Sequence, residues 1–336
     1  MNEVKKRSVG IIGIGSHVPE KVLTNKDLEA IVETSDEWIV DRTGIRERRI
    51  ADQETATSDL AYQAALKALA DAKVSADEID LVIVATATPD MFFPSTACLV
   101  QNRIGATKAA AFDLAAGCSG FAYGLVVGTQ FVQNGTYKKV LVIGAETLSK
   151  ILDWTDRNTC VLFGDGAGAV VLGEVEEGYG ILGVELGADG SGGDLLKMPA
   201  GGSRMPASAQ TVADRLHYVH MSGNDVFKFA VKVMGEAAAK ALEHAGLSSE
   251  DVDCLIPHQA NIRIIQSAAK RLKMPMDKVM VNVDKYGNTS SASIPIALNE
   301  AVKSGKVKKN DVVVVVGFGA GLTWASCVLK WCGEDL

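Results

Sequence analysis

SADEIDLVIVAT (residues 75–86) and SSEDVDCLIPHQ (residues 248–259) are two versions of one pattern, separated by 173 residues from Ser75 to Ser248. The same offset carries KALADA (67–72) onto KALEHA (240–245), and the apolar run ending at Gly144 onto the run ending at Gly317. One chance match of an αβ unit means little, but one offset shared by three separate elements indicates internal duplication. The chain therefore divides into two related βαβ halves, placed at residues 1–178 and 179–336, whose two sheets sandwich helices between them.

The elements around this repeat fit that reading. β-Branched runs bounded by turn residues recur at VGIIGIG (9–15), IDLVIVATAT (79–88), KVLVIGAE (139–146), GAVVLGEV (168–175), VDCLIPHQ (252–259) and DVVVVVGFG (311–319). Between them lie helical patterns such as DLAYQAALKALADA (59–72) and VFKFAVKVMGEAAAKALEHAG (226–246). Near-continuous apolar strands alternating with amphipathic helices belong to an α/β fold with sheets covered on both faces. Hydrophobic content of 47% with 22% charged residues describes a globular chain. A net charge of −7 argues against general nucleic-acid binding, which needs clustered positive charge. The opening MNEVKKRSVGIIGIGSHVPE is basic and then apolar, but the run is broken by glycine and leads into a proline turn, so it reads as the first strand. No run approaches the length of a membrane helix, and the six cysteines show neither CxxC nor framework spacing. The expectation is a soluble cytoplasmic protein with free thiols.

Cys118 stands in AFDLAAGCSGF, where an apolar run turns into a helix bearing Phe121, Leu125, Gly128 and Val132 on one face. At a helix N-terminus the free N–H groups and the dipole favour a thiolate, so the expected pKa falls from about 8.5 towards about 7. An inert buried cysteine is the alternative. Adding the offset to Cys118 gives Ser291 in GNTSSASIPIAL, so Cys118 and the Asn288–Ser291 turn occupy equivalent places. His258 follows a strand, where open α/β sheets place ligands and catalytic groups. The Gly-rich loop at 317–321 could present bare N–H groups to an oxyanion. His217 and His220 would face opposite ways on a strand, so no metal is expected there. GIGIGSHVPE lacks a third glycine, and FGDGAGAVVL leads into a strand, so a nicotinamide site is poorly supported.

Together with TSDEWIVDRTGIRERRI (34–50), FPSTA (93–97), DRNTCVLFGDGAGA (156–169), SGNDVFKFAV (222–231), PHQANIRII (257–265), YGNTSSASIP (286–295) and GFGAGLTW (317–324), these residues identify a family. The sequence resembles β-ketoacyl-acyl-carrier-protein synthase III, the initiating condensing enzyme of type II fatty acid synthesis, in the thiolase-like superfamily. The resemblance runs nearly end to end and implies a layered α/β/α/β/α sandwich. It implies a catalytic Cys118, His258 and Asn288, with Phe318 packed beside them and an oxyanion hole from the amides of Cys118 and Ala320. Position 320 is often glycine in relatives, so the hole survives here if the backbone angle tolerates a Cβ. Trp38, Arg42 and Arg157 match residues that hold the nucleotide of coenzyme A, and Asn224, Phe227 and Asn261 match the pantetheine tunnel. Phe93 matches a residue that closes the partner's acyl pocket across a homodimer. Lys228, Arg263, Lys270 and Arg271 are implied to dock an acidic carrier protein.

The implied reaction joins a short acyl-CoA, acetyl-CoA foremost, to malonyl-acyl-carrier protein through an acyl-cysteine. It releases CoA and CO2 and requires neither metal nor other cofactor. The rivals are a starter-unit condensing enzyme or acyltransferase of polyketide or quinolone metabolism, and a silent acyl-CoA-binding protein. A degradative thiolase would want a second cysteine near the last Gly-rich loop, whereas Cys327 and Cys332 lie beyond it.

Overall fold

The computed structural model describes residues 7–333, so the first six residues, which include the basic start weighed above, lie outside the described residues. The first sheet contains β1 (Val9–His17), β2 (Leu81–Ala85), β3 (Ala110–Leu114), β4 (Val140–Glu146) and β5 (Gly166–Glu174). They lie in the order β1-β5-β4-β2-β3. The second sheet contains β6 (Gly180–Ala188), β7 (Cys254–Pro257), β8 (Val312–Gly319) and β9 (Thr323–Lys330), in the order β6-β9-β8-β7. The two orders coincide element for element, apart from β3. In both sheets the strand pair carrying the repeat is parallel, β2 with β4 and β7 with β8.

Strand alternation builds the layers. Ile83, Val140, Val142, Val313 and Val315 point to a shared central core, where helices Gly120–Gln133 and Ser293–Lys303 lie between the sheets. Their neighbours Val82, Val84, Leu141 and Ile143 face helix Thr57–Ala72 and helix Thr96–Ile104 on one outer side. Val314 and Val316 face helices Gly223–His244 and Ile262–Arg271 on the other. Residues alternating between two buried faces explain why these strands read as unbroken apolar runs. The result is the expected α/β/α/β/α sandwich, and the N-terminal run forms the expected first strand.

The 173-residue offset survives in three dimensions. It takes Leu81, the start of β2, to Cys254, the start of β7. It also takes the one-turn 3₁₀ segment Gly117–Ser119 onto Ser290–Ala292, each leading directly into a central helix. The symmetry fails at β3: residues 283–287 form a single helical turn over Val283–Tyr286 instead of a fifth strand. Among the described residues, no helix is long and apolar enough to cross a membrane.

Candidate active site

Cys118 sits in the middle of the turn Gly117–Ser119, immediately before helix Gly120–Gln133. Gly117 has φ +52°, and a Cβ there would lie 2.7 Å from the Ala320 nitrogen, so conformation and space both require glycine. The Ser119 and Thr323 hydroxyls each donate to the Ala116 carbonyl, at 2.7 and 2.9 Å, fixing the turn against β9. Phe121, Leu125, Gly128 and Val132 are buried as the periodicity predicts, and the helix ends before Gly135 at φ +74°.

His258 follows β7, and its backbone N–H donates to the Val316 carbonyl at 2.7 Å. Its ring is fully buried, with Nδ1 2.6 Å from Ser293 Oγ and Nε2 without a partner among the described residues. Phe318 meets the ring edge-on at 5.5 Å between centroids. Asn288 is clamped by its backbone, donating to Leu162 O at 2.8 Å and accepting from Gly164 N at 3.0 Å. Its Oδ1 accepts from Ser290 N at 2.8 Å, which turns the amide hydrogens away from the loop.

Electrostatics here differ from the sequence expectation. Burial pushes the Cys118 thiol up to about 12, with the Ser290 hydroxyl lowering it and the charge of Glu146 raising it further. Only 7% of Cys118 is exposed, so desolvation outweighs whatever the helix terminus contributes and the resting thiol is protonated. Burial likewise pushes His258 down to about 3, so the imidazole is neutral. A neutral thiol beside a neutral imidazole replaces the expected thiolate.

The His258 shift has a consequence for stability. The unfolded chain binds a proton at this histidine below about pH 6.5, whereas the native chain does so only near 3. Its contribution is therefore present above about pH 6.5 and is lost as pH falls towards 3. Urea melts between pH 7 and 4 should show a shallower loss of stability in His258→Asn than in the wild type. Equal slopes in the two proteins would contradict a buried neutral ring.

Cys118 lies between two cavities. The larger, about 330 Å³, is lined by Cys118, His258, Asn288, Phe318, Asn224, Phe227 and Asn261, and reaches Trp38 and Arg42. The guanidinium groups of Arg42 and Arg157 stack on Trp38 at 4.8 and 5.0 Å from the ring centre. The smaller, about 180 Å³, lies across Cys118 and is walled by Leu148, Ile151, Phe163, Leu196, Met198 and Val219. Those wall residues come from separate segments, and nothing in their spacing marks them. Gly319 and Gly117 bring the Cys118 and Ala320 turns together, and Ala320 is not among the residues with positive φ. The condition for an alanine at that position is met.

Phe93 does not line either cavity; it is 84% exposed, beside Phe92 at 77%. Lys228 pairs with Asp225 and Arg271 with Glu236, whereas Arg263 and Lys270 are exposed and make no ion pair among the described residues. Cys327 is buried in β9, its thiol directed at the Ala122 carbonyl, and lines neither cavity. His217 is bound to the Thr211 hydroxyl at 2.9 Å.

Two supporting residues escaped the sequence reading. Arg48 is fully buried, with its basicity lowered by burial, and donates to Leu23 O, Asn25 Oδ1 and Val161 O, holding the wall at 161–163. Glu146 is also fully buried and accepts from Thr88 Oγ1 at 2.6 Å and Ser291 Oγ at 2.8 Å, tying β4 to the Asn288 turn.

Two duplicated halves with a cysteine at the start of a central helix, facing histidine and asparagine from the other half, define a thiolase-like condensing enzyme. Residues 112–190 match the family model of 3-oxoacyl-[acyl-carrier-protein] synthase III, and residues 242–331 match the model of its C-terminal part. The chain belongs to the β-ketoacyl-[acyl-carrier-protein] synthase III family and is an acyltransferase of the initiating condensing class in fatty acid biosynthesis. It is 64% identical over 327 residues to the Caldanaerobacter subterraneus subsp. tengcongensis β-ketoacyl-[acyl-carrier-protein] synthase III, covering 97% of this chain and 99% of that one. The crystal structure of the Aquifex aeolicus synthase III superposes with a TM-score of 0.90 at 50% identity, over 96% of this chain and 100% of the other. The priming β-ketosynthase of the R1128 polyketide pathway superposes at 0.91 with 36% identity, over 100% and 99%.

Proposed function

We propose that Cys118 accepts an acyl group from acyl-CoA and passes it to malonyl-acyl-carrier protein, with His258 and Asn288 serving the second step. The observation that carries this reading is the position of Cys118 between a larger cavity that reaches Trp38 and Arg42 and a small apolar one. A pantetheine arm threaded past Asn224, Phe227 and Asn261 delivers its thioester at Cys118, with the stacked Trp38, Arg42 and Arg157 at the nucleotide end. Cys118 sulfur attacks the thioester carbon, the amides of Cys118 and Ala320 stabilise the oxyanion, and CoA departs with the proton the thiol gives up. The acyl chain then occupies the 180 Å³ cavity.

In the second step His258 and Asn288 donate to the malonyl thioester oxygen as CO2 leaves, and the resulting enolate carbon attacks the acyl-cysteine. Neutral donors suit a developing enolate, and burial keeps His258 neutral. The starter we assign is a short acyl-CoA, acetyl-CoA foremost. Incubation with labelled acetyl-CoA should place one acyl group on Cys118, and malonyl-carrier protein should chase it into β-ketoacyl-carrier protein. Absence of covalent label would overturn the reading. A label chased only by another acceptor would favour the polyketide-priming role that one structural relative carries.

Exposed Phe92 and Phe93 mark the surface assigned to a homodimer, with Phe93 closing the partner's acyl cavity. The carrier surface is assigned to the exposed face of helix Ile262–Arg271, whose other face buries Ile264, Ile265, Ala268 and Ala269. Arg263 and Lys270 are the cations left for an acidic partner, since Arg271 and Lys228 already have carboxylates. Charge reversal at both, Arg263→Glu with Lys270→Glu, should weaken use of malonyl-carrier protein about 10-fold or more and spare acylation by acyl-CoA. Equal loss in both half-reactions would remove the patch.

A further inference from the structure

The His258–Ser293 contact joins two buried residues at 2.6 Å, and the reaction proposed above gives the serine no role. We propose that Ser293 is a positioning residue that holds His258 in the tautomer with its proton on Nε2, aimed into the cavity beside Cys118. The inference rests on the reading of His258 as a donor to the thioester oxygen.

Hydrogen-bond accounting supports the assignment. Ser293 Oγ accepts the Gln259 backbone N–H at 3.3 Å, so one lone pair is occupied and the hydroxyl hydrogen still needs an acceptor. Ser293 is 2% exposed, and among the described residues its acceptor is His258 Nδ1. A proton on Nδ1 would strand that buried hydroxyl hydrogen, a situation folded proteins avoid. With the hydroxyl donating to Nδ1, the ring proton lies on Nε2, the atom left without a partner among the described residues.

The internal duplication supplies a second line of support. Subtracting the 173-residue offset from His258 and Ser293 gives Ala85 and Gly120. Those two pack directly, since a Cβ on Gly120 would stand 3.1 Å from the Ala85 Cβ. The scaffold brings the strand end and the helix start together in both halves, but only the second half fills the contact with a hydroxyl and an imidazole. Packing alone is met by alanine and glycine, so the hydrogen bond has another purpose.

An Nε2–H imidazole donates but cannot accept at Nε2, so the Cys118 proton does not pass to His258. Loss of the serine hydroxyl should therefore damage condensation more than acylation. In wild-type protein with 15N-labelled histidine, long-range 1H–15N spectra should show His258 with a protonated Nε2 and a bare Nδ1. Ser293→Ala should shift His258 towards a mixture of tautomers and lower the condensation rate about 100-fold, with acylation by acyl-CoA changed less than about 5-fold. Ser293→Thr, which keeps the hydroxyl, should restore much of the difference. A protonated Nδ1 in the wild type overturns the proposal without recourse to any variant, as does an unchanged tautomer in folded Ser293→Ala. A tautomer shift with undiminished condensation supports the Ser293 assignment and instead overturns the donor role given to His258.

Discussion

Cys118→Ala is expected to lose the acyl-enzyme and to lower condensation by about 10⁴-fold or more, while still decarboxylating malonyl-carrier protein. The substitution removes a neutral thiol, since burial holds it protonated up to about 12, so no buried charge is stranded by its loss. It leaves His258 and Asn288 in place, because their positions are fixed by Val316, Ser293, Leu162 and Gly164 and not by the sulfur. The enolate can then form but has no acyl-cysteine to attack. Labelling with acyl-CoA and release of CO2 measure the two steps separately. Retained label, or loss of decarboxylation together with condensation, would contradict the division of labour.

The same experiment distinguishes reactivity from burial. Cys160 and Cys254 are pushed up to about 11 and Cys327 to about 12, so a raised pKa is the common condition of this protein's buried thiols. What separates Cys118 from these three is access to both cavities. Acidity does not single out Cys118 among these thiols, and the helix-terminus argument drawn from sequence is opposed by desolvation. The terminus exists, but the environment that buries it is assembled from both halves of the chain.

The fold was legible because duplication writes itself into the sequence twice. Strands buried on both faces leave strong apolar runs, and the offset joins β2 to β7 and the Cys118 turn to the Asn288–Ser291 segment. Legibility ends where the halves diverge: the counterpart of β3 became a helical turn, and an offset cannot foresee that. Cys118 and His258 lay at element ends but were ambiguous alone, Asn288 read equally as a turn residue, and the family resemblance joined the three. The apolar cavity did not, because Ala87, Leu148, Leu196 and Val219 meet only after folding. TSSAS hides its meaning differently. Ser290 takes φ +48°, Ser291 binds Glu146 and Ser293 binds His258, three roles that identical side chains cannot announce.

Gly319→Ala is expected to lower the acylation rate about 10³-fold and to cost about 2–4 kcal/mol of stability. Gly319 ends β8 and is not among the residues with positive φ, so its requirement is for space and not for a left-handed backbone. A Cβ there would stand 2.3 Å from the Cys118 nitrogen and 3.1 Å from its Cα. Both atoms are backbone, fixed by the Ser119 and Thr323 hydrogen bonds, so no side chain can swing aside. Relief needs the two turns to part by about 1 Å, a displacement large enough to cost about 10²-fold through misplacement alone. Parting them also separates the Cys118 and Ala320 amides, the pair to which the proposed function assigns the oxyanion hole. Gly202→Ala provides the control, because nothing lies within 4 Å of its added Cβ and its backbone is ordinary. That variant should acylate and melt like the wild type, within about 0.5 kcal/mol. Single-turnover acylation and thermal melts of both variants decide the matter. If Gly319→Ala acylates within about 3-fold of the wild type, the close approach of the halves does not build the oxyanion hole, and stabilisation must come from elsewhere in the cavity.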